Sequence, residues 1–290
     1  MKFDKNTKIL IVGLGLIGGS YAKALSDEGY FVGAIDKKKS SVEYALKNGL
    51  IQVGETSVKK DFVKDFDLIV FALYPHDFIN WIKEYQSSIK SGALITDVTG
   101  VKSFVVENVQ KILRGDLEFV GAHPMAGKEV SGVENADSKI FVGANYIVTP
   151  TKKNTDENVQ AVKDLGRALG FERISSLSPE VHDETVGFLS HLTHCIAVSL
   201  MVSKMSHHLA EYTGDSFRDL TRIAKINDEM WSELFLANKD ELLKQMDLFE
   251  EKFNQLKEDI KNDNREKIRE TLRESTARRK VFDKDAKETK

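Results

Sequence analysis

The sequence predicts an α/β fold in which a doubly wound parallel sheet is followed by an all-helical second half. Three observations predict it. All four prolines lie before residue 180, and beyond that point only Gly187 and Gly214 break the chain; both residue types mark turns and are costly inside helices. The apolar runs of the first half are continuous rather than alternating, as strands covered on both faces require. A glycine-rich hexapeptide joins the first of those runs to a helical segment.

The strand candidates are Lys8–Val12, Tyr30–Ile35, Leu68–Leu73, Ala93–Thr96 and Phe119–Gly121, with Tyr146–Val148 and Phe171–Ile174 as later additions. Helical segments such as Ser40–Asn48 and Lys102–Leu113 fall between them, the alternation of a βαβ chain. Ser178-Pro179-Glu180 reads as a helix start, with serine as N-cap and proline in the first turn. The predicted domains are therefore 1–177 and 178–290. Leu242, Met246, Phe249, Phe253, Leu256 and Ile260 follow spacings of four and three, a heptad-like stripe on a helix that must bury one face. The stripe fits packing within the subunit or a homodimer, and the dimer is the expectation. The final stretch, Asp283–Lys290, is polar and expected to fray.

Composition narrows the function classes. With 41% hydrophobic and 30% charged residues and a net charge of −3, no nucleic-acid surface or anionic-membrane binder is expected. A single cysteine, Cys195, rules out an intramolecular disulfide and suits a reducing compartment. The polar N-terminus lacks a signal peptide, and no run is expected to approach the ~20 apolar residues of a membrane span. The predicted location is cytoplasmic.

Gly13-Leu14-Gly15-Leu16-Ile17-Gly18 follows the first strand and opens a helix through Ala22, Ala24 and Leu25. Gly13 permits the tight turn, Gly15 lets backbone approach a pyrophosphate, and Gly18 allows close helix–strand packing. This is the dinucleotide fingerprint of a Rossmann-type domain in its required strand–turn–helix context. Asp36, closing the second strand, can accept from both ribose hydroxyls and repel a 2′-phosphate, which favours NAD over NADP. Lys37, Lys38 and Lys39 act against that choice, or simply form a solvated loop. Leu16, Ile17, Leu73 and Pro75 complete the expected cofactor contacts.

Three segments can carry chemistry. His123, in Gly121-Ala122-His123-Pro124-Met125-Ala126-Gly127, lies just past a strand's C-terminal end, the edge where open α/β sheets bind ligands; an imidazole there can move a proton near neutral pH. His191 and His194 are three apart on a helix and should share a face. They read as core histidines or a ligand pair; no metal is expected, because no acidic or cysteine ligand at helical spacing completes a site. Arg218, Arg222 and Lys225 form a cationic stripe that is either solvated or, at Arg222, turned inward to grip a carboxylate.

Taken together, the ordered segments GLGLIGGS, DVTGVK, GAHPMAGKEVSG, SPEVHD, SHLTH and FRDLTRIAKINDEMW resemble the prephenate dehydrogenase family, from about Lys8 to the helix around Phe253. The resemblance implies a Rossmann domain followed by a helical dimerisation domain, with the active site in the cleft between them. It implies that His123 hydrogen-bonds the substrate's ring hydroxyl and that Arg222 holds the ring carboxylate. His194 would contact substrate and favour prephenate over arogenate, while Glu129, Asp219, His191 and Trp231 line or gate the cleft. Some relatives carry a serine where this chain has Gly100, and Thr99 is the candidate to supply that hydroxyl. Some relatives also carry a C-terminal regulatory domain, for which this chain leaves no room.

The implied activity is oxidative decarboxylation of prephenate by NAD to 4-hydroxyphenylpyruvate, with His123 as base and no metal. The alternatives are an arogenate dehydrogenase, a β-hydroxyacid dehydrogenase of the same plan, whose helical-domain lysine motif is missing here, and a non-catalytic NAD-sensing dimer.

Overall fold

In a computed structural model, residues 1–204 and 208–282 are described; the expected frayed stretch Asp283–Lys290 lies outside them. Six strands, β1 (Lys8–Val12), β2 (Phe31–Ile35), β3 (Val53–Glu55), β4 (Leu68–Phe71), β5 (Leu94–Asp97) and β6 (Glu118–Phe119), form one parallel sheet in the order β3-β2-β1-β4-β5-β6. The order reverses between β1 and β4, where doubly wound sheets open a ligand crevice at their C-terminal edge.

Alternate residues of one strand enter two different cores, which is why the apolar runs are continuous. Ile9 and Ile11 of β1 pack with Tyr21 and Leu25 of α1 (Leu16–Asp27). Leu10 and Val12 pack on the other face, against Phe78 and Ile82 of a later helix. The helices that follow are α2 (Lys39–Lys47), α3 (Lys60–Val63), α4 (Pro75–Tyr85) and α5 (Ser103–Ile112). The expected strand Phe119–Gly121 proves to be a junction. The chain leaves β6 after Phe119 and begins β7 (Gly121–Pro124) in a second sheet, antiparallel to β8 (Asn145–Thr149), which runs parallel to β9 (Arg173–Ser176). Gly121 is needed at that switch, since a Cβ there would lie 2.5 Å from the Thr149 hydroxyl. The three-residue β3 went unread because it is only half-buried and has no apolar run.

After α6 (Asp156–Ala168), the chain is helical: α7 (Pro179–Val186), a widened π turn at Gly187–Leu192, α8 (Thr193–Ser203), α9 (Asp215–Thr221), α10 (Asp228–Ala237), α11 (Lys239–Lys261) and α12 (Arg265–Arg279). Ser178 caps α7 as expected, its hydroxyl accepting from the Val181 N–H, and Pro179 opens the helix. An 18-residue window within Pro179–Ser203 has a mean hydropathy of 1.5, so by length and composition alone this helix could cross a membrane. That corrects the expectation that no apolar run was long enough. Its buried face, however, holds His182, Asp183 and His191, with the first two bonded to the sheet region as described below.

Compactness divides the chain into Met1–Glu241 and the segment from Leu242 onward. The helices between 178 and 241 thus group with the sheet region, because Asp183 bonds the start of α5 and Leu234 packs into the core there. On α11 the heptad stripe has the expected helical placement, and Met246, Phe249, Phe253 and Ile260 remain exposed.

Candidate active site

The glycine loop is shaped by three separate constraints. Gly13 has φ +100°, and a Cβ on it would lie 2.4 Å from the Ala72 carbonyl oxygen. A Cβ on Gly18 would lie 1.9 Å from the Gly13 carbonyl oxygen, so α1 meets β1 only through glycine. Gly15 is exposed, with nothing within 4 Å of a Cβ position, and α1 begins immediately after it with no side-chain cap. Free first-turn N–H groups above an open glycine make a cradle that suits a pyrophosphate.

Asp36 braces this cradle: its carboxylate accepts from the Leu14 N–H at 2.6 Å and the Lys38 N–H at 2.7 Å. Leu16 and Ile17 form the first turn of α1, Leu73 packs beside Gly13, and Pro75 opens α4. All the expected cofactor residues therefore gather at the C-terminal edge of β1, β2 and β4. Lys37, Lys38 and Lys39 are exposed.

A buried ion pair lies under the neighbouring edge. Lys102 Nζ donates to Asp97 at 2.6 Å, and both side chains are fully buried. Each also grips Ala122: Asp97 accepts its N–H at 3.0 Å, and Lys102 donates to its carbonyl. The residue before His123 is thus fastened from both sides. Thr99 belongs to this clamp. Its hydroxyl bonds Asp97, the Val101 carbonyl at 3.0 Å and the Lys102 ammonium at 3.1 Å. Asp97 and Lys102 thus hold the Thr99 hydroxyl within the clamp. A Cβ on Gly100, in contrast, would lie 3.8 Å from His123 Nε2.

His123 Nδ1 meets His182 Nε2 at 2.8 Å, and His182 Nδ1 meets Asp183 Oδ1 at 2.8 Å. Asp183 accepts from the N–H groups of Lys102 and Ser103 at 2.8 and 2.7 Å, at the start of α5. Burial pushes the Asp183 carboxyl up, but the His182 ring and these N–H groups outweigh it and hold it below its ordinary value. Burial, then the charges of His182 and Lys102, drive His123 well below the usual imidazole range. Burial also lowers His182. Both rings are neutral near pH 7.

His191, on the π turn, is buried, and burial pushes its pKa down to about 4. Its Nδ1 accepts from the Asn238 amide at 3.2 Å, and that amide also donates to the Asp183 carbonyl at 2.9 Å. His194 Nδ1 donates to the Ser190 carbonyl at 2.8 Å and its ring stacks on Trp231, centroids 3.7 Å apart. His191 meets the same Trp231 edge-on at 6.0 Å, so both imidazoles do face one way. Burial lowers the His194 pKa, opposed by the Ser190 bond and the charge of Glu129, while Arg222 pushes it down again. Arg222 is exposed and ion-paired with Glu129, six residues past His123. Arg218 instead pairs with Asp215 at 2.9 Å, and Asp219 is exposed on α9.

His182, Asp183, Asp97 and Lys102 were not assigned roles from the sequence. The usable signal was the acidic-imidazole pair His182-Asp183 just inside a helix start, and a lysine five residues after an aspartate at a strand end.

A family model described as "Prephenate dehydrogenase, nucleotide-binding domain" matches residues 21–173, and one described as "Prephenate dehydrogenase, dimerization domain" matches residues 178–274. The chain belongs to the prephenate dehydrogenase family. A prephenate dehydrogenase of Bacillus subtilis is 34% identical over 82% of this chain and 66% of its own length, and one of Lactococcus lactis is 32% identical over 86% and 70%. The chain thus spans about two thirds of the length of these relatives. A crystal structure of prephenate dehydrogenase from A. aeolicus in complex with hydroxyphenyl propionate and NAD+ is 34% identical, with TM-score 0.87, covering 96% of this chain and 98% of that one.

Because the folded state resists protonating His191, stability is present above the unfolded-state pKa of about 6.5 and is lost as pH falls towards 4. Urea unfolding should lose about 3 kcal/mol across that window from His191 alone. His191→Gln should remove that share of the slope, leaving the part owed to the lowered His123, His182 and His194; an unchanged slope would mean the ring is not held neutral.

Proposed function

We propose that this chain is an NAD-dependent prephenate dehydrogenase, converting prephenate to 4-hydroxyphenylpyruvate and carbon dioxide in tyrosine biosynthesis. The observation that carries the reading is the His123 ring. Its Nδ1 is tied to His182, while its Nε2 edge lies toward Gly100, 3.8 Å from where a Cβ on that residue would stand. The family supports the reading, as does the A. aeolicus relative crystallised with hydroxyphenyl propionate and NAD+.

When bound, NAD supplies the hydride acceptor. The residues to hold it are Gly13, Gly15, Leu16, Ile17, Gly18, Asp36, Leu73 and Pro75, with Asp36 favouring NAD over its phosphorylated form. Neutral His123 takes the ring-hydroxyl proton on Nε2 while the carbinol C–H pair departs as hydride. The resulting ketone is a vinylogous β-keto acid, which releases carbon dioxide and becomes aromatic. Arg222 holds the ring carboxylate, taking it in exchange for Glu129. His194, stacked on Trp231, contacts the substrate side chain, with His191 and Asp219 completing the lining. Histidines kept neutral by burial leave Arg222 as the charge that selects an anionic substrate.

We further propose a cytoplasmic homodimer joined through the helical part, 178–290, with 1–177 as the nucleotide-binding domain. The exposed Met246, Phe249, Phe253 and Ile260 stripe and the dimerization-domain match support it.

Following NADH at 340 nm with prephenate and arogenate, each crossed with NAD and NADP, tests the assignment; prephenate with NAD should give the highest kcat/KM. His123→Asn should lower kcat about 10²–10⁴-fold with NAD affinity kept, and Arg222→Ala should raise the prephenate KM about 10–100-fold. No NADH from either substrate would overturn the reading. Because burial lowers the His123 pKa in the free protein, the acid limb of kcat/KM should lie below pH 6.5, lower than the pH 6–7 expected of an ordinary imidazole. Sedimentation should give twice the 32.6 kDa chain mass; a monomer at micromolar concentration would remove the dimer.

A further inference from the structure

His182 and Asp183 touch neither the open edge of His123 nor the dinucleotide cradle, yet both are buried and spend every polar atom toward the site. Their hydrogen-bond pattern fixes proton positions by elimination. Asp183 accepts the N–H groups of Lys102 and Ser103, one on each oxygen, and is held ionised, so it can only accept. His182 must therefore carry its proton on Nδ1, where it meets Asp183 Oδ1. Neutral His182 then has only a lone pair at Nε2. His123 Nδ1, 2.8 Å from that lone pair, must be the donor. One tautomer of His123 remains: protonated on Nδ1, with the Nε2 lone pair on the edge next to Gly100.

We propose that His182 and Asp183 are positioning residues that lock His123 into the one tautomer able to accept a proton at Nε2. The step they serve is a single transfer. The substrate O–H bond breaks, an N–H bond forms at His123 Nε2, and the existing Nδ1–H stays on His123, strengthened as the ring becomes an imidazolium. No proton moves along the chain. Asp183, fixed by the N-terminus of α5, supplies the negative charge that the imidazolium needs, relayed through the polarised His182 ring. The device also accounts for how this chain manages with Gly100: nothing with a hydroxyl is needed at Nε2 to orient the ring, because Nδ1 does so from behind.

The inference rests on His123 being the base, but its first test does not. The ¹⁵N chemical shifts of His123 in the whole protein at pH 7.5, assigned by loss of the signals in His123→Asn, report the tautomer without substrate. A protonated Nδ1 and a bare Nε2 are expected; a proton on Nε2 would overturn the proposal. His182→Phe keeps a ring but offers no lone pair, so His123 should become a tautomer mixture and kcat should fall about 10²–10⁴-fold, with the prephenate KM and NAD affinity kept. His182→Gln, whose amide oxygen can accept the same N–H, should recover at least about tenfold of that loss. A merely structural role would move neither the ¹⁵N shifts nor the order of the two variants. A His182→Phe protein with unchanged kcat would sink the proposal, whereas an active His123→Asn protein would sink the base assignment instead.

Discussion

The buried Asp97–Lys102 pair is the interaction on which the site depends. It ties the end of β5 to both polar backbone atoms of Ala122, and so places His123 although β7 belongs to a different sheet. Two full charges out of water are costly unless their remaining valences are filled. Here they are: Asp97 also takes the Thr99 N–H at 3.1 Å and the Thr99 hydroxyl. The arrangement exchanges main-chain pairing, which continues to the Val120 N–H and ends there, for side-chain bonds of the same kind.

From this clamp the electrostatics of the cleft follow. Burial lowers the pKa of both His123 and His182, and the charge of Lys102 adds to it, so both imidazoles rest neutral. Asp183 answers with a negative charge placed behind His182. A base that is neutral at rest and gains a compensated charge during transfer is suited to withdraw a hydroxyl proton near pH 7. The exposed Arg222–Glu129 pair is the opposite case, a charge left accessible for exchange with an anionic ligand.

Much of the fold could be read from the chain because local rules and tertiary structure agreed. Lys8–Val12 is a strand with the bounds its apolar run indicates, and Ser178-Pro179 starts a helix for the reasons its residue types supply. The glycine loop was legible for the same reason: Gly13 and Gly18 answer steric demands that their spacing indicates, and Gly15 leaves the helix start uncovered. The sheet switch after Phe119 was not legible, since one apolar run spans it. The bond of the Thr99 hydroxyl to Asp97, two residues before it, follows from the turn that ends β5 rather than from any spacing in the sequence. The pairing of His123 with His182, 59 residues on, has no local signal at all; only the fold brings β7 and α7 together. The apolar length of Pro179–Ser203 was underestimated because polar residues interrupt it, and among them His182, Asp183, His191 and His194 belong to the site.

The central claim, that a buried ion pair positions the base, is tested most directly by a double-mutant cycle on Asp97→Asn and Lys102→Met, followed by urea unfolding. Each single change should cost about 3–5 kcal/mol by stranding its partner, and the double variant should cost clearly less than the sum. Strictly additive losses, or a single loss below about 0.5 kcal/mol, would contradict a coupled pair beneath His123.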